Sequence, residues 1–127
     1  MESRTHLAIN PELCGVVDDI EQGSAVVELR TRPEMAVDDR GLVHGGFVFG
    51  LADYAAMVAV NDPNVVLGGA EMRFLKPVVV DEVLRAHAHV DSAEGKKHKV
   101  TVTVRRGQEP VFEGTLTCFV LPRHVLG

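Results

Sequence analysis

His44, Gly45 and Gly46 stand together, and nine residues after the histidine comes Asp53. Within Gly45–Val60, GGFVFGLADYAAMVAV, Asp53 is the one ionisable acid and the phenol of Tyr54 the one other polar side chain. Read as a helix, that stretch is apolar on every face, and such a helix is a buried one. A carboxylate inside it costs several kcal/mol unless it is paired or hydrogen-bonded. Acids held in apolar surroundings have shifted proton affinities, the raw material of a general base or a nucleophile. A structural brace is the alternative reading. The glycine pair weighs toward chemistry, because a helix that begins on two glycines presents N–H groups, unblocked by Cβ atoms, at the positive end of its dipole.

The flanking segments have to hold this helix in place. Residues 13–20 read as a first strand and Ser24–Arg30 as a second, joined by a tight hairpin at Gln22-Gly23. Residues 31–41, with Pro33, Asp38, Asp39 and Gly41, read as a loop. The helix spans about residues 43–61 and is stopped by Asn61-Asp62-Pro63-Asn64. Residues 65–80 read as a long strand bent at Gly68-Gly69. In residues 81–91, Leu84, Ala86 and Ala88 alternate with Arg85, His87 and His89; residues 92–96 turn the chain; in residues 97–105, Val100, Val102 and Val104 alternate with Lys99, Thr101, Thr103 and Arg105. Gln108-Glu109-Pro110 turns into a last strand, 111–121. The order is two strands, one long helix, then three or four strands. Short connections make the late strands antiparallel. The sheet must wrap the helix, and the helix's outer side must meet a second copy of the chain.

The 127 residues suit one α+β domain, 1–127. A net charge of −5 lacks the basic footprint of a nucleic-acid binder, whereas an anionic small ligand needs only a local basic patch. Two distant cysteines, Cys14 and Cys118, give no disulfide framework and suit a reducing cytoplasm. Cys118 lies in an apolar run and reads as a buried inert thiol before it reads as a nucleophile. MESRTHLAINPELC has no basic start leading into an apolar run, so no signal peptide is expected. The longest apolar segment is short and acid-interrupted, so no membrane span is expected either.

Leu42-Val43-His44-Gly45-Gly46, then Leu51-Ala52-Asp53, then Met72-Arg73-Phe74-Leu75-Lys76-Pro77 resemble, in this order and spacing, the hotdog-fold acyl-CoA thioesterases, and among them the phenylacetic-acid-degradation type. The resemblance implies a hotdog fold, an antiparallel sheet wrapped around one long central helix. It implies hydrolysis of an acyl-CoA thioester to free acid and coenzyme A, with no cofactor and no metal, by a homodimer that could pair again into a tetramer. Asp53 would be nucleophile or general base, and the Gly45 N–H the first donor to the oxyanion, with Gly46 second. His44 would shape the site or bond the substrate, or simply pack the helix entry. Asp38 falls where related enzymes carry Asn or Gln on the thioester, and an anion there would hinder. Glu71 falls where relatives place Ser or Thr; a surface charge paired with Arg73 is its other reading.

Arg73, Lys76, Lys96, Lys97, Arg105 and Arg106 are candidates for the coenzyme A phosphates, or plain solvated charges. Phe47, Phe49, Met57 and Phe74 are candidates for an acyl pocket, or plain core. His87 and His89 share a strand face, but no third ligand accompanies them and no metal site is expected.

Gly45 and Asp53 are eight residues apart, about 12 Å of helix rise, and both must come within roughly 3 Å of one carbonyl. One helix cannot easily supply both; two antiparallel helices can, each giving its acid to the other's glycines. Two further readings stand beside hydrolysis: a hydratase or dehydratase of the same fold, whose His–acid pair is not found here, and a non-catalytic acyl-CoA or metabolite-binding module. No DNA-binding segment is visible.

Overall fold

The structure, a computed structural model, describes residues 1–127. The chain opens on a short helix, α1 (Pro11–Cys14), where a strand was expected from Leu13 onward. Asn10 and Pro11 are the reason: the Asn10 side chain accepts the Glu12 N–H at 2.9 Å, and proline presets the first helical residue. There follow β1 (Val16–Glu21), β2 (Ser24–Arg30), a single 3-10 turn (Pro33–Met35), α2 (Gly45–Val60), β3 (Val65–Phe74), β4 (Val83–Glu94), β5 (Lys97–Arg106) and β6 (Glu109–Val120). The strands form one antiparallel sheet in the order β1-β2-β4-β5-β6-β3. It wraps one long helix, as the hotdog fold requires.

The alternating strands behave as their patterns dictate. Leu84, Ala86 and Ala88 of β4 and Val100, Val102 and Val104 of β5 are buried in the core with α2. Both strands run further than their apolar residues suggest. Gly95 and Gly107, each at φ +60, take the first place of a two-residue hairpin turn, so pairing continues to Glu94↔Lys97 and Arg106↔Glu109. The turn is thus Gly95-Lys96, not residues 92–96, and Pro110 lies inside β6 beside a register shift, where a missing N–H is tolerated.

β3 shifts register between Leu67 and Gly69, at the expected bend, but it stops at Phe74 and not at residue 80. Pro77 has no N–H to continue a ladder. The chain turns instead toward the segment before α2: the Val43 N–H donates to Val78 O at 2.8 Å and the Val80 N–H to Gly41 O at 2.9 Å. β3 is the edge strand beside β6, and its last seven residues, from Gly68 to Phe74, are all exposed.

α2 is terminated by Asn61, left-handed at φ 54, whose N–H donates to Met57 O at 2.8 Å. Nine of the sixteen residues of α2 are buried within the chain itself. The face left for a partner is therefore narrower than its composition implies: Gly46 is exposed, and Gly50 and Asp53, one and two turns further, are half-buried.

Gly15 links α1 to β1 at φ +110, and a methyl group there would stand 2.8 Å from Val27 Cγ1 and 3.0 Å from the Glu28 carbonyl oxygen. Replacing Gly15 by Ala should therefore cost about 2–4 kcal/mol, read as a lower urea midpoint at unchanged slope.

Candidate active site

The position of Asp53 follows from its helix. α2 is buried because it is apolar, so the one acid on it is desolvated with it. The residue as a whole is half-buried, but Oδ1 is fully buried and has no hydrogen-bond partner. Burial pushes its pKa from 3.8 up to about 6, and no neighbouring charge contributes to the shift. Its charge reaches two thiols. Burial first, and then the Asp53 charge, raise both Cys14 and Cys118, the latter to about 12. Both cysteines are unpaired, and their burial disfavours the thiolate that a nucleophile needs.

At the other end of the exposed stripe the start of α2 is held by its backbone. The His44 N–H donates to Met35 O at 3.0 Å, and the His44 side chain makes no capping bond. Neither the Gly45 nor the Gly46 N–H donates to an acceptor in the protein. Two N–H groups are thus free at the positive end of a sixteen-residue helix. The His44 ring stands edge-on to Phe47 at 6.2 Å and lies beside Gly46, on the rim of this cradle. Between the cradle and Asp53, a methyl group on Gly50 would meet nothing within 4 Å, so the stripe is open.

A cleft of about 300 Å³ adjoins the helix start. It brings Gly45, Phe74 and Lys76 together with Val48, Val78 and Val111. Phe74 is anchored edge-on to the buried Phe112 at 5.2 Å. Asp53 does not line this cleft.

Other expected site residues are placed elsewhere. Asp38 Oδ1 accepts the Arg40 and Leu42 N–H groups at 3.0 and 3.1 Å, which shapes the loop entering α2. Glu71 and Arg73 lie on the outer face of the sheet with Thr101 and Thr115, across the sheet from α2. Arg73 lies 3.9 Å from Glu113, so it is not the partner of Glu71; strand register sets Arg73 opposite Glu113. Arg106, a candidate for phosphate, is committed: it donates to both Glu82 oxygens at 2.9 and 3.2 Å, to Pro77 O at 2.9 Å and to Glu109. His87 and His89 are exposed on β4, and His87 is lowered by burial and then by Arg105 and Arg85.

The Arg106 contacts expose a group that the sequence did not advertise. Glu82 Oε1 also accepts the Val79 N–H at 2.8 Å, and Thr31 Oγ1 donates to Val79 O at 2.7 Å while accepting the Glu82 N–H at 2.9 Å. Thr31, Glu82 and Arg106 together hold residues 75–80, one wall of the cleft. Their only sequence signal is opposite charge, and that does not pair positions 24 residues apart.

The thioesterase superfamily profile matches residues 40–113. A protein of Aquifex aeolicus named methylthioribose-1-phosphate isomerase is 53% identical over 114 residues, 90% of this chain but 25% of that protein. Transcription factor FapR of Caldanaerobacter subterraneus is 24% identical over 93% of this chain and 60% of its own length. The chain thus spans between a quarter and three fifths of these curated relatives. Among solved structures, the uncharacterized protein PH1136 of Pyrococcus horikoshii is 54% identical, with a TM-score of 0.99 over 100% of this chain and 98% of that one. A hypothetical thioesterase of Streptococcus pneumoniae, solved with coenzyme A, shares the fold at 20% identity and a TM-score of 0.77, over 86% of this chain and 87% of that one.

The raised pKa of Asp53 means that the folded chain holds its proton between pH 3.8 and about 6 while the unfolded chain has lost it. Stability therefore falls as pH rises through that window, and the full penalty is present at pH 7 and above. Asp53→Asn should raise stability at neutral pH by on the order of 1–2 kcal/mol, allowing for solvent screening of a half-buried group. The gain should vanish below about pH 4, as denaturant melts at the two pH values would show.

Proposed function

The chain belongs to the thioesterase superfamily, and on that premise we propose that it hydrolyses an acyl-CoA thioester to the free acid and coenzyme A. The observation that carries this reading is the Asp53 carboxylate, buried on one oxygen with no partner there. A brace would have its oxygens occupied. A base or nucleophile keeps one free.

In the proposed site the thioester carbonyl oxygen lies on the Gly45 N–H with the Gly46 N–H beside it, and the developing oxyanion is stabilised by both donors and the helix dipole. Asp53 of the partner subunit acts on the opposite side of the carbonyl. As a base it takes a proton from water, the water oxygen bonds to the carbonyl carbon and the C–S bond breaks. The proton passes to the departing thiolate. As a nucleophile its own oxygen bonds to the carbonyl carbon and the C–S bond breaks, giving an anhydride and the thiolate; water then opens the anhydride and its proton passes to the thiolate. Either opening needs Asp53 ionised, and His44 and Phe74 border the approach.

The two-subunit arrangement is supported by the helix and by the sheet. Eight residues of rise hold the Gly45 and Asp53 of one chain about 12 Å apart along the axis. The exposed edge strand β3 offers a row of unpaired backbone groups for a second copy. Pairing about a two-fold axis makes the contact reciprocal, so each dimer holds two sites. We assign the chain to the phenylacetic-acid-degradation type on the His44-to-Asp53 spacing and the Phe74–Pro77 strand end, and place it in a reducing cytoplasm, where both thiols stay free. The Streptococcus pneumoniae protein, which shares this fold and was solved with coenzyme A, supports the choice of ligand.

The isomerase name of the Aquifex relative is not carried over. The match covers 25% of that protein's length, so the activity of the whole protein does not follow from it. The transcription-factor relatives favour one alternative, a module that binds an acyl-CoA without turnover.

A thiol-release assay over an acyl-CoA panel separates these readings. Asp53→Asn should lose about 10²–10⁴-fold in turnover, and wild-type activity should climb with pH through about 6 and then level. Unchanged release would remove Asp53 from the mechanism, and tight binding with no release from wild type would establish the module instead.

Gly45→Pro tests the oxyanion donor. Proline suits the first helical position, and His44 at φ −61, ψ 131 already has the conformation that precedes proline. Turnover should fall about 10²–10³-fold in a folded protein. Refolding Gly45→Pro and Asp53→Asn chains together should restore about a quarter of wild-type activity, because half the dimers then carry one intact site. A mixture no more active than its parents would place both groups in one chain.

A further inference from the structure

We propose that the cleft at the start of α2 is the acyl subsite, and that it selects a straight aliphatic chain of medium length, about six to ten carbons. The inference rests on the thioester reading above and assigns the half of the substrate that reading leaves open.

Connectivity places the chain there. The acyl carbon next to the carbonyl is two bonds from the oxygen to which the Gly45 N–H donates, so the acyl group must leave through space that touches Gly45. The cleft does. Chemistry names the class of occupant. Val48, Val78 and Val111 are all buried and form its inner surface, Leu42 and Phe74 are its half-open sides, and Lys76 is its one ionisable residue. A polar acyl group would exchange water for valine there and gain few hydrogen bonds in return. An aliphatic chain exchanges water for apolar contact.

Volume sets the length. An apolar cavity of about 150 Å³ holds a six-carbon ring, so roughly twice that space covers a chain of medium length. The cleft measures about 300 Å³. One of its walls is braced by hydrogen bonds. Residues 75–80 are tied to the helix entry by the Val43 and Val80 N–H groups and to β5 by the bonds of Arg106 to Pro77 O and Glu82. A braced wall keeps the apolar surface that a chain can cover fixed in extent.

The test is kcat/KM across saturated acyl-CoAs from acetyl to palmitoyl. Each methylene should raise it by about 3–4-fold until the cleft is full, after which it should flatten or fall. Val48→Leu should move the optimum to shorter chains and Val48→Ala to longer ones. Leu42→Trp, at a side chain that is 39% exposed, should shorten it with no burden on the core. Thermal melts confirm that each variant is folded. Thiol release with the same optimum in wild type, Val48→Leu and Leu42→Trp would overturn the subsite alone. Release from no chain length would overturn the thioester reading, and the subsite with it.

Discussion

The structure is organised by the desolvation of one carboxylate. α2 has no polar face to give to water, so it must be enclosed, and Asp53 is enclosed with it. The sheet, α1 and the loop before α2 all close on this helix. Their burial of Leu51, Ala52, Ala55 and Val58 offsets the cost of the acid. Were the carboxylate hydrogen-bonded on both oxygens, its proton affinity would drop back toward that of a surface acid. The missing partner at Oδ1 and the pKa of about 6 are two expressions of one fact.

The second constraint is that the helix which buries the acid also carries, at its start, two N–H groups without acceptors. A single helix keeps its N-terminus and its third turn apart by construction, so no rotamer of Asp53 closes the gap within one chain. The features that look unfinished in a lone chain are those that a two-fold neighbour would complete. They are the open stripe of Gly46, Gly50 and Asp53, the free Gly45 and Gly46 N–H groups, and the unpaired edge of β3. The opposite edge, β1, is interrupted by a register shift at Asp19 and carries Asp18 and Glu21, which discourages pairing there.

What could be read without coordinates follows from where the physics is local. The alternation of β4 and β5 and the length of α2 are set by side chains a few residues apart, and both were legible. The Asn10-Pro11 start of α1 was equally local but was outweighed by the apolar residues after it. Val78, Val79 and Val80 read as strand because a short apolar run has no period of its own; Pro77 was the signal to stop. Phe74 and Lys76 were found at the cleft with Gly45 because the strand that carries them ends beside the helix start. The brace of Thr31, Glu82 and Arg106 was not legible at all. It depends on which loop the sheet order brings over which strand, and no spacing encodes that.

The same brace decides how the charges should be interpreted. A chain of net charge −5 that takes an anionic ligand must do so with cations that its own acids have not consumed. Arg32 is held by Glu12 and Glu34, Arg85 by Asp18 and Glu28, Arg106 by Glu82 and Glu109. Arg73 is held loosely by Glu113 and faces away from the helix. Lys76, Lys96, Lys97 and Arg105 take part in none of these pairs, and of the four only Lys76 shares a surface with Gly45. The loop that Arg106 fixes is the loop that carries Lys76. Arg106 therefore sets, at one remove, where an uncommitted lysine stands at the rim of an apolar cleft.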